Sequence, residues 1–143
     1  MSQYKNIVVA LDVSEESKQV LQHAVELAGG GSLHLVYVLR PLTTYYGSEI
    51  GVNFSSLQQE LQKEAELMLE KIGGAENIPA DHLHTLIGKP STEIKRLAEE
   101  LKADLIVIGT HGQHGLGLIL GSTANGVLHG ASCDVLAVKI KKS

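Results

Sequence analysis

The chain has 143 residues, 43% of them hydrophobic, with a formal net charge of −4, four tyrosines and one phenylalanine. That length suits a single domain over residues 1–143 with a sizeable core, and the acidic, aromatic-poor composition argues against nucleic acid as a partner. No segment approaches the ~20 apolar residues that span a bilayer, and the N-terminus lacks the apolar core of a signal peptide, so we expect a cytoplasmic protein without membrane contact.

Five apolar runs of strand length alternate with helical patterns along the chain. Near-continuous aliphatic runs such as IVVAL and LIVI are typical of strands covered on both faces. The sequence therefore predicts a doubly wound α/β fold, in which helices cover both faces of a parallel sheet. The predicted strands are Ile7 to Leu11, Leu33 to Leu39, a weaker one at His82 to Ile87, Leu105 to Ile108, and Val135 to Val138.

The first two helices have recognisable start and stop signals. Ser14 is expected to cap the first helix, with Glu15 and Glu16 in its first turn, and the three glycines at 29–31 are expected to end it. The second helix is predicted from about Ser55 to Ile72, where Gly73-Gly74 should stop it. Apolar residues at three- and four-residue spacing mark its buried face, which we expect to be Leu57, Leu61, Ala65, Met68, Leu69 and Ile72.

Two further helices are expected in the second half of the chain. The third should begin at Pro90, whose fixed φ suits a first helical position, and bury Ile94, Leu97, Ala98 and Leu101. The fourth should follow the glycine-rich loop described below. The stretch at 40–54 is too long for an ordinary connection, so we expect a flap there.

Between Gly109 and Ser122 the chain reads GTHGQHGLGLILGS, a loop rich in glycine that precedes a helical pattern. Glycines allow backbone N–H groups to approach an anion, and a helix start adds further donors. The sequence therefore predicts a phosphate-binding loop. A structural alternative remains open, in which the glycines only form a tight exit from the strand and a surface loop.

Open parallel sheets bind ligands beyond the carboxyl ends of their strands, where neighbouring connections diverge to opposite faces. If the first and fourth strands are central, Asp12, the end of the second strand near Val38 and the glycine loop meet there. A dinucleotide of the Rossmann type is disfavoured, because no glycine-rich turn follows the first strand and Glu15 and Glu16 crowd the next helix start. No GxxxxGK[ST] motif is present, which argues against a P-loop enzyme.

Several segments in a characteristic order resemble one family. They are KNIVVALDVSEES at the start, the strand HLVYV, the turn IGKPSTEI, and DLIVIGTHG followed by LGSTANGVLHGASCDVLAVK. Over nearly the whole chain the sequence resembles the universal stress protein family. The resemblance implies an adenine nucleotide alpha hydrolase-like fold with five strands in the order 3-2-1-4-5, commonly found as a homodimer.

The resemblance also implies a ligand, ATP, with Mg²⁺ carried by the nucleotide. Nucleotide-binding members resemble one another in a loop of Gly, two residues, Gly, nine residues, Gly and then Ser or Thr; here eight residues, Gln113 to Leu120, occupy the longer interval. Asp12 would accept ribose hydroxyls, the backbone near Val38 would pair with adenine, and the loop would hold phosphates. The expected nucleotide-binding residues are Ala10, Leu11, Asp12, Val38, Ile108, Gly109, His111, Gly112, Gly121, Ser122 and Thr123.

Alternatives remain for several of these residues. Asp12 could be a local turn or cap residue, and Ser122 and Thr123 could cap the following helix. Histidines 111, 114 and 129 have no acidic partner at ligand spacing, so no metal site is expected. Phosphate oxygens beside His111 would favour the charged form of its ring.

Three functions are consistent with the sequence. The first is an ATP-dependent regulator in the stress response, the second a homodimeric interaction protein without a ligand, favoured by the shorter loop, and the third a hydrolase or adenylyl-transfer enzyme. No catalytic base or nucleophile is recognisable, so a dedicated enzyme is not expected, although weak ATP hydrolysis or autophosphorylation stays open.

The last strand, Asp134 to Val138, is aliphatic and lacks the proline or inward charge that protects a sheet edge. We expect it to pair with a second copy of the chain. The single cysteine, Cys133, cannot form an internal disulfide and is expected to be a small buried apolar residue.

Overall fold

The computed structural model describes residues 4–12, 16–42, 55–110 and 121–140. The predicted alternation of strands and helices is present, with a short 3₁₀ turn at Ala80–His82. Ser14, Glu15 and most of the expected flap at 40–54 lie outside the described residues. The strands are β1 (Asn6–Ala10), β2 (Ser32–Leu39), β3 (Leu83–Ile87), β4 (Leu105–Gly109) and β5 (Asp134–Val138), and the helices are α1 (Ser17–Ala28), α2 (Ser55–Ala75), α3 (Pro90–Glu100) and α4 (Ser122–Leu128).

The five strands form one parallel sheet in the order β3-β2-β1-β4-β5, as expected. Each face of this sheet has its own apolar core. Helices α1 and α2 cover one face and α3 and α4 the other. The two central strands are almost completely buried, because both of their faces are covered, and this explains their uninterrupted aliphatic sequences.

Two of the predicted helix boundaries are wrong. The residue at the N-cap of α1 is Glu16, not Ser14, and the Glu16 side chain forms no capping hydrogen bond. Helix α2 continues through Gly73-Gly74 to Ala75, and the chain turns afterwards at Asn77, whose φ is +58°. Gly73 has a packing role, because a Cβ there would lie 2.8 Å from Cδ2 of Leu83 on β3. The close contact between helix and strand therefore requires glycine inside the helix.

Two other predictions about helix ends are confirmed. Gly29 ends α1 in the left-handed conformation, with φ of +51°, and Pro90 is the first residue of α3. Three predicted positions differ: Glu16 precedes the first turn of α1, Leu57 of α2 is 46% exposed, and Leu101 follows α3 and is half-buried.

Side-chain hydrogen bonds join the elements at the amino end of the sheet. The carboxylate of Asp104 accepts from the backbone N–H groups of Lys5 and Asn6, at 2.9 and 3.1 Å. The Asn6 amide donates to the carbonyl of Leu101, and the Tyr4 hydroxyl donates to Asp134 at 2.8 Å. These contacts tie the entry of β1 to β4, α3 and β5.

The last strand lies at one edge of the sheet, as predicted, beside β4. Cys133 precedes it and is half-buried against the core under α3 and α4. Burial raises the pKa of the Cys133 thiol, which keeps it in the unreactive neutral form near neutral pH.

Candidate functional site

The candidate site lies at the carboxyl ends of β1 and β4, where the chain leaves these neighbouring strands toward opposite faces. After β1 the chain continues into α1 on one face, and α4, which follows β4, packs on the other face. Divergence of this kind opens a crevice between the two connections. These connections therefore diverge at the position where the sequence predicts a ligand crevice.

Strand register brings the separate segments to a common level. Ala10 pairs with Val36 of β2 and with Ile108 of β4, and the N–H of Leu11 donates to the carbonyl of Val36 at 2.9 Å. Continuing this register by two residues places Asp12 level with Val38 on one side and Thr110 on the other. Asp12 is half-buried. A carboxylate, the end of β2 and the exit of β4 thus lie along one edge.

Gly109 lies in a tightly packed position at the end of β4. A Cβ at this position would lie 2.5 Å from Cδ1 of Ile140 and 3.3 Å from Cγ2 of Val20. Ile140 is buried and closes the core over the end of β4. The absence of a side chain at Gly109 is therefore explained by this contact, whether or not its backbone also meets a ligand.

Thr110 and Gly121 form the neck of the glycine loop, where its two described ends meet. The N–H of Gly121 donates to the carbonyl of Thr110 at 2.5 Å, and the N–H of Thr110 donates to the carbonyl of Val138 at 2.9 Å. These bonds fix the two described ends of the glycine loop to each other and to β5. The φ and ψ of Gly121 are −62° and 156°, an ordinary extended conformation open to any residue.

Ser122 and Thr123 begin α4 and do not cap it. The N-cap residue is Gly121, and no side chain forms a capping hydrogen bond. Ser122 is exposed and Thr123 half-buried. The capping alternative for these two hydroxyl groups is thus wrong, and helix capping does not occupy them.

The position of α4 depends on a close contact with α3. A Cβ on Gly126 would lie 2.6 Å from Cβ of Ser91, which is itself buried. The two helices therefore approach each other where neither carries a large side chain. Because α4 begins at Ser122, this contact helps to fix the position of Ser122 and Thr123.

Some expected site residues lie outside the described residues, namely His111, Gly112 and His114. His129, the third histidine considered as a metal ligand, is exposed just after α4. In the described part of the chain, no group of three or more His, Cys, Asp or Glu side chains is arranged to hold a metal ion.

Two residues near the crevice were not singled out as site residues in the sequence. Thr110 joins the neck of the loop to β5, and Arg40, which is half-buried, follows the end of β2. The Gly88 N–H donates to the carbonyl of Leu39 at 2.9 Å and fixes this end of β2 to the turn after β3. The predicted order of strands could have indicated that Arg40 lies near the candidate site, because the residue just after each parallel strand lies at this edge of the sheet.

An open groove of about 410 Å³ lies elsewhere, between α2 and β3. Glu66 and Glu70 of α2 line it together with His84 and Thr85 of β3. The two carboxylates would repel a polyphosphate, so this groove is a poor nucleotide site. Among the described helices, none has the length and apolar character needed to cross a membrane.

Comparison with known proteins gives a consistent result. The model of the universal stress protein family matches residues 3–139. Universal stress protein A homolog 1 of Coxiella burnetii is 40% identical over 142 residues, which cover 97% of this chain and 99% of that protein.

Solved structures resemble the whole fold. The hypothetical protein MJ0577 superposes with a TM-score of 0.79 at 27% identity, covering 98% of this chain and 99% of that one. A universal stress protein crystallised in complex with cAMP has a TM-score of 0.65 at 22% identity, covering 96% and 98% of the two chains. At 22% identity the second likeness concerns the fold alone.

Proposed function

Because the chain belongs to the universal stress protein family, we propose that it binds ATP, with Mg²⁺ carried by the nucleotide, in the crevice at the carboxyl ends of β1 and β4. In this proposal nucleotide binding regulates the protein's interactions in the stress response, and the protein is not a dedicated enzyme. The observation that carries it is that Asp12, Val38 and the start of α4 lie along one edge of the sheet.

The chemical groups at this edge suit the parts of a nucleotide. The half-buried Asp12 offers a carboxylate to ribose hydroxyls, and such charge-assisted bonds are strong. The N–H groups of the first turn of α4 have no acceptor within the helix, and Ser122 and Thr123 add hydroxyl donors for phosphate. The backbone at Val38 would meet adenine, as expected from the family resemblance. An adenine nucleotide, cAMP, bound to a protein of this fold is consistent with that ligand class.

A second function is favoured by two observations. The N–H of Gly121 is already bonded to Thr110, and Gly109 is explained by its contact with Ile140. Two of the glycines assigned to phosphate binding therefore have structural roles, and the loop is one residue shorter than the nucleotide-binding pattern. The alternative is a homodimeric interaction protein of the same family that binds no nucleotide.

Isothermal titration of ATP with Mg²⁺ distinguishes the two functions. The purified protein is first checked at 260 nm for nucleotide carried over from expression. Gly121→Asp, which places a carboxylate at the loop neck, should abolish binding. Gly74→Asp is the matched control, because a Cβ at Gly74 has no atom within 4 Å and the residue lies on the exposed side of α2. Saturable binding lost only in Gly121→Asp supports the ATP site; no binding by nucleotide-free protein supports the second function.

A further inference from the structure

Three histidines meet between β2 and β3, at the end of these strands opposite the candidate crevice. The register pairs Leu35 with Leu83, so His34 lies across from His82, the last residue of the 3₁₀ turn. The rings of His34 and His82 stack with centroids 4.0 Å apart and an angle of 16°. The ring of His84 lies 5.3 Å from that of His34. We call these three residues the histidine cluster.

The hydrogen bonds of the histidine cluster suit neutral rings. Nδ1 of His34 and Nε2 of His84 are 3.1 Å apart, so one nitrogen must donate and the other accept. Nδ1 of His82 is 3.0 Å from the carbonyl of Leu33 and donates to it. When both His34 and His84 are protonated, each facing nitrogen carries a hydrogen and no acceptor remains. Protonation therefore converts an attractive contact into a repulsive one.

The surroundings offer little compensation for positive charge. The charges acting on His34 are those of His82, His84 and Asp81, and Asp81 is an exposed carboxylate. From β1 and α3, apolar residues pack on this face, and on the other side of β3 the exposed Glu66 and Glu70 of α2 line the groove beside His84. Burial lowers the pKa of His34 from 6.5 to about 4 and also lowers that of His84, with the neighbouring His82 adding to both effects. The buried apolar residues that β1 and α3 contribute to this face are Val8, Ala10, Ile94, Leu97 and Ala98.

The arrangement does not suit a metal ion. The facing nitrogens of His34 and His84 point at each other, whereas metal ligands point at a common third position. His82 presents its ring face to His34 because the two are stacked. In line with this geometry, the described residues contain no metal-binding group of three such side chains.

We infer that the histidine cluster is a proton-sensitive contact that holds the edge strand β3 against β2 when its rings are neutral and weakens when the surroundings become acidic. Among the described strands, β3 lies at one edge of the sheet and pairs only with β2, so it can separate without disrupting the rest of the sheet. This inference is independent of nucleotide binding, since the cluster lies at the opposite end of the strands.

The direction of the pH effect follows from linkage. The unfolded chain has the ordinary histidine pKa of 6.5, and the folded chain has the lower value for His34. Between these values the opened state binds more protons, so stability rises with pH. The contact is at full strength above about pH 6.5 and is lost as the pH falls toward about 4. Each histidine that takes up a proton on opening changes the opening equilibrium by up to roughly tenfold per pH unit.

Hydrogen exchange of the β3 amides tests the inference, with rates corrected for the intrinsic pH dependence of exchange. Between pH 7 and pH 5 we expect protection of β3 to fall at least tenfold more than that of β1. The double variant His34→Gln/His84→Gln, in which neither facing residue titrates in this range, should make the loss of protection at β3 match that at β1. His23→Gln and His129→Gln, at exposed positions, are matched controls and should behave as the unmodified protein.

Parallel loss of protection in β3 and β1, or an equal effect of the control substitutions, would overturn the inference. A second measurement does not depend on any variant folding. NMR titration of the histidine ring protons in the unmodified protein should give His34 a pKa at least one unit below the ordinary histidine value of 6.5. A smaller decrease, or none, would also overturn the inference.

Discussion

The backbone N–H of Gly121 donates to the carbonyl of Thr110 at 2.5 Å and closes the neck of the glycine loop. This bond is the contact by which the start of α4 is fixed to the exit of β4. The loop residues between them lie outside the described part of the chain. The geometry of the neck therefore determines where the two ends of any phosphate-binding loop must be.

Gly121→Pro removes this N–H without straining residue 121, whose φ of −62° suits proline. We expect a loss of about 0.5–1.5 kcal/mol in the free energy of unfolding and weaker ATP binding, because the loop ends are no longer fixed. Gly121→Ala keeps the N–H and should change little. Denaturant unfolding and calorimetric titration measure both effects, and unchanged ATP affinity in Gly121→Pro would show that the neck bond is not needed for binding.

Gly109→Ala tests whether this glycine serves packing. The new Cβ would overlap Cδ1 of Ile140, so we expect a loss of about 1–3 kcal/mol in stability. Ile140→Val removes that methyl group, and the double variant should be more stable than the sum of the two single effects predicts. Chemical denaturation of the four proteins measures the coupling. Strictly additive losses would contradict the packing role.

Asp12→Ala tests the assignment of this carboxylate to the ribose. If Asp12 accepts ribose hydroxyls, the unmodified protein should bind ATP roughly 10- to 100-fold more tightly than 2′,3′-dideoxy-ATP, because a hydrogen bond to a charged group contributes about 1.5–3 kcal/mol. Asp12→Ala should lose most of this discrimination. The control is Asp81→Ala, an exposed carboxylate near the opposite end of the sheet. Equal discrimination in Asp12→Ala and the unmodified protein would exclude the ribose role.

Ala137→Pro tests whether β5 pairs with a second copy of the chain. The Val138 carbonyl accepts from the N–H of Thr110, the residue just after β4. Successive residues of a strand point their backbone groups to opposite edges, so the N–H of Ala137 faces outward. Proline there should shift a dimer toward monomer, whereas Ala137→Ser should not. Sedimentation velocity measures the shift, and an unchanged dimer would exclude this edge. Val138→Lys would instead destabilise the fold, because the Val138 side chain is only 4% exposed.

The sheet was predictable because its signal is local. The buried runs of β1 and β4 are aliphatic without interruption, and the segments that end near Asp12, Val38 and Gly121 were expected at one edge from topology alone. Exact helix boundaries were less predictable. Helix α2 continues through Gly73 because of a contact with Leu83 that only the tertiary structure contains.

Pairings between distant residues could not be obtained from one sequence. The contact of Gly109 with Ile140 depends on how residues after β5 fold back over β4, and the histidine cluster depends on the register of β2 and β3. In sequence, the whole of helix α2 separates His34 from His82 and His84, and no local signal links them. The alternative in which Ser122 caps α4 was wrong, because Ser122 is the first residue of the helix and Gly121 is its N-cap.

The two ends of the sheet differ in how they tolerate change. At the amino end, Asp104, Asn6 and Tyr4 hold the strands together by specific side-chain hydrogen bonds, so substitutions there affect strand register and folding. At the carboxyl end, the loop is attached through backbone groups of Thr110 and Gly121, which any non-proline residue can supply. Insertions or deletions between these two residues are therefore expected to preserve the register of the sheet.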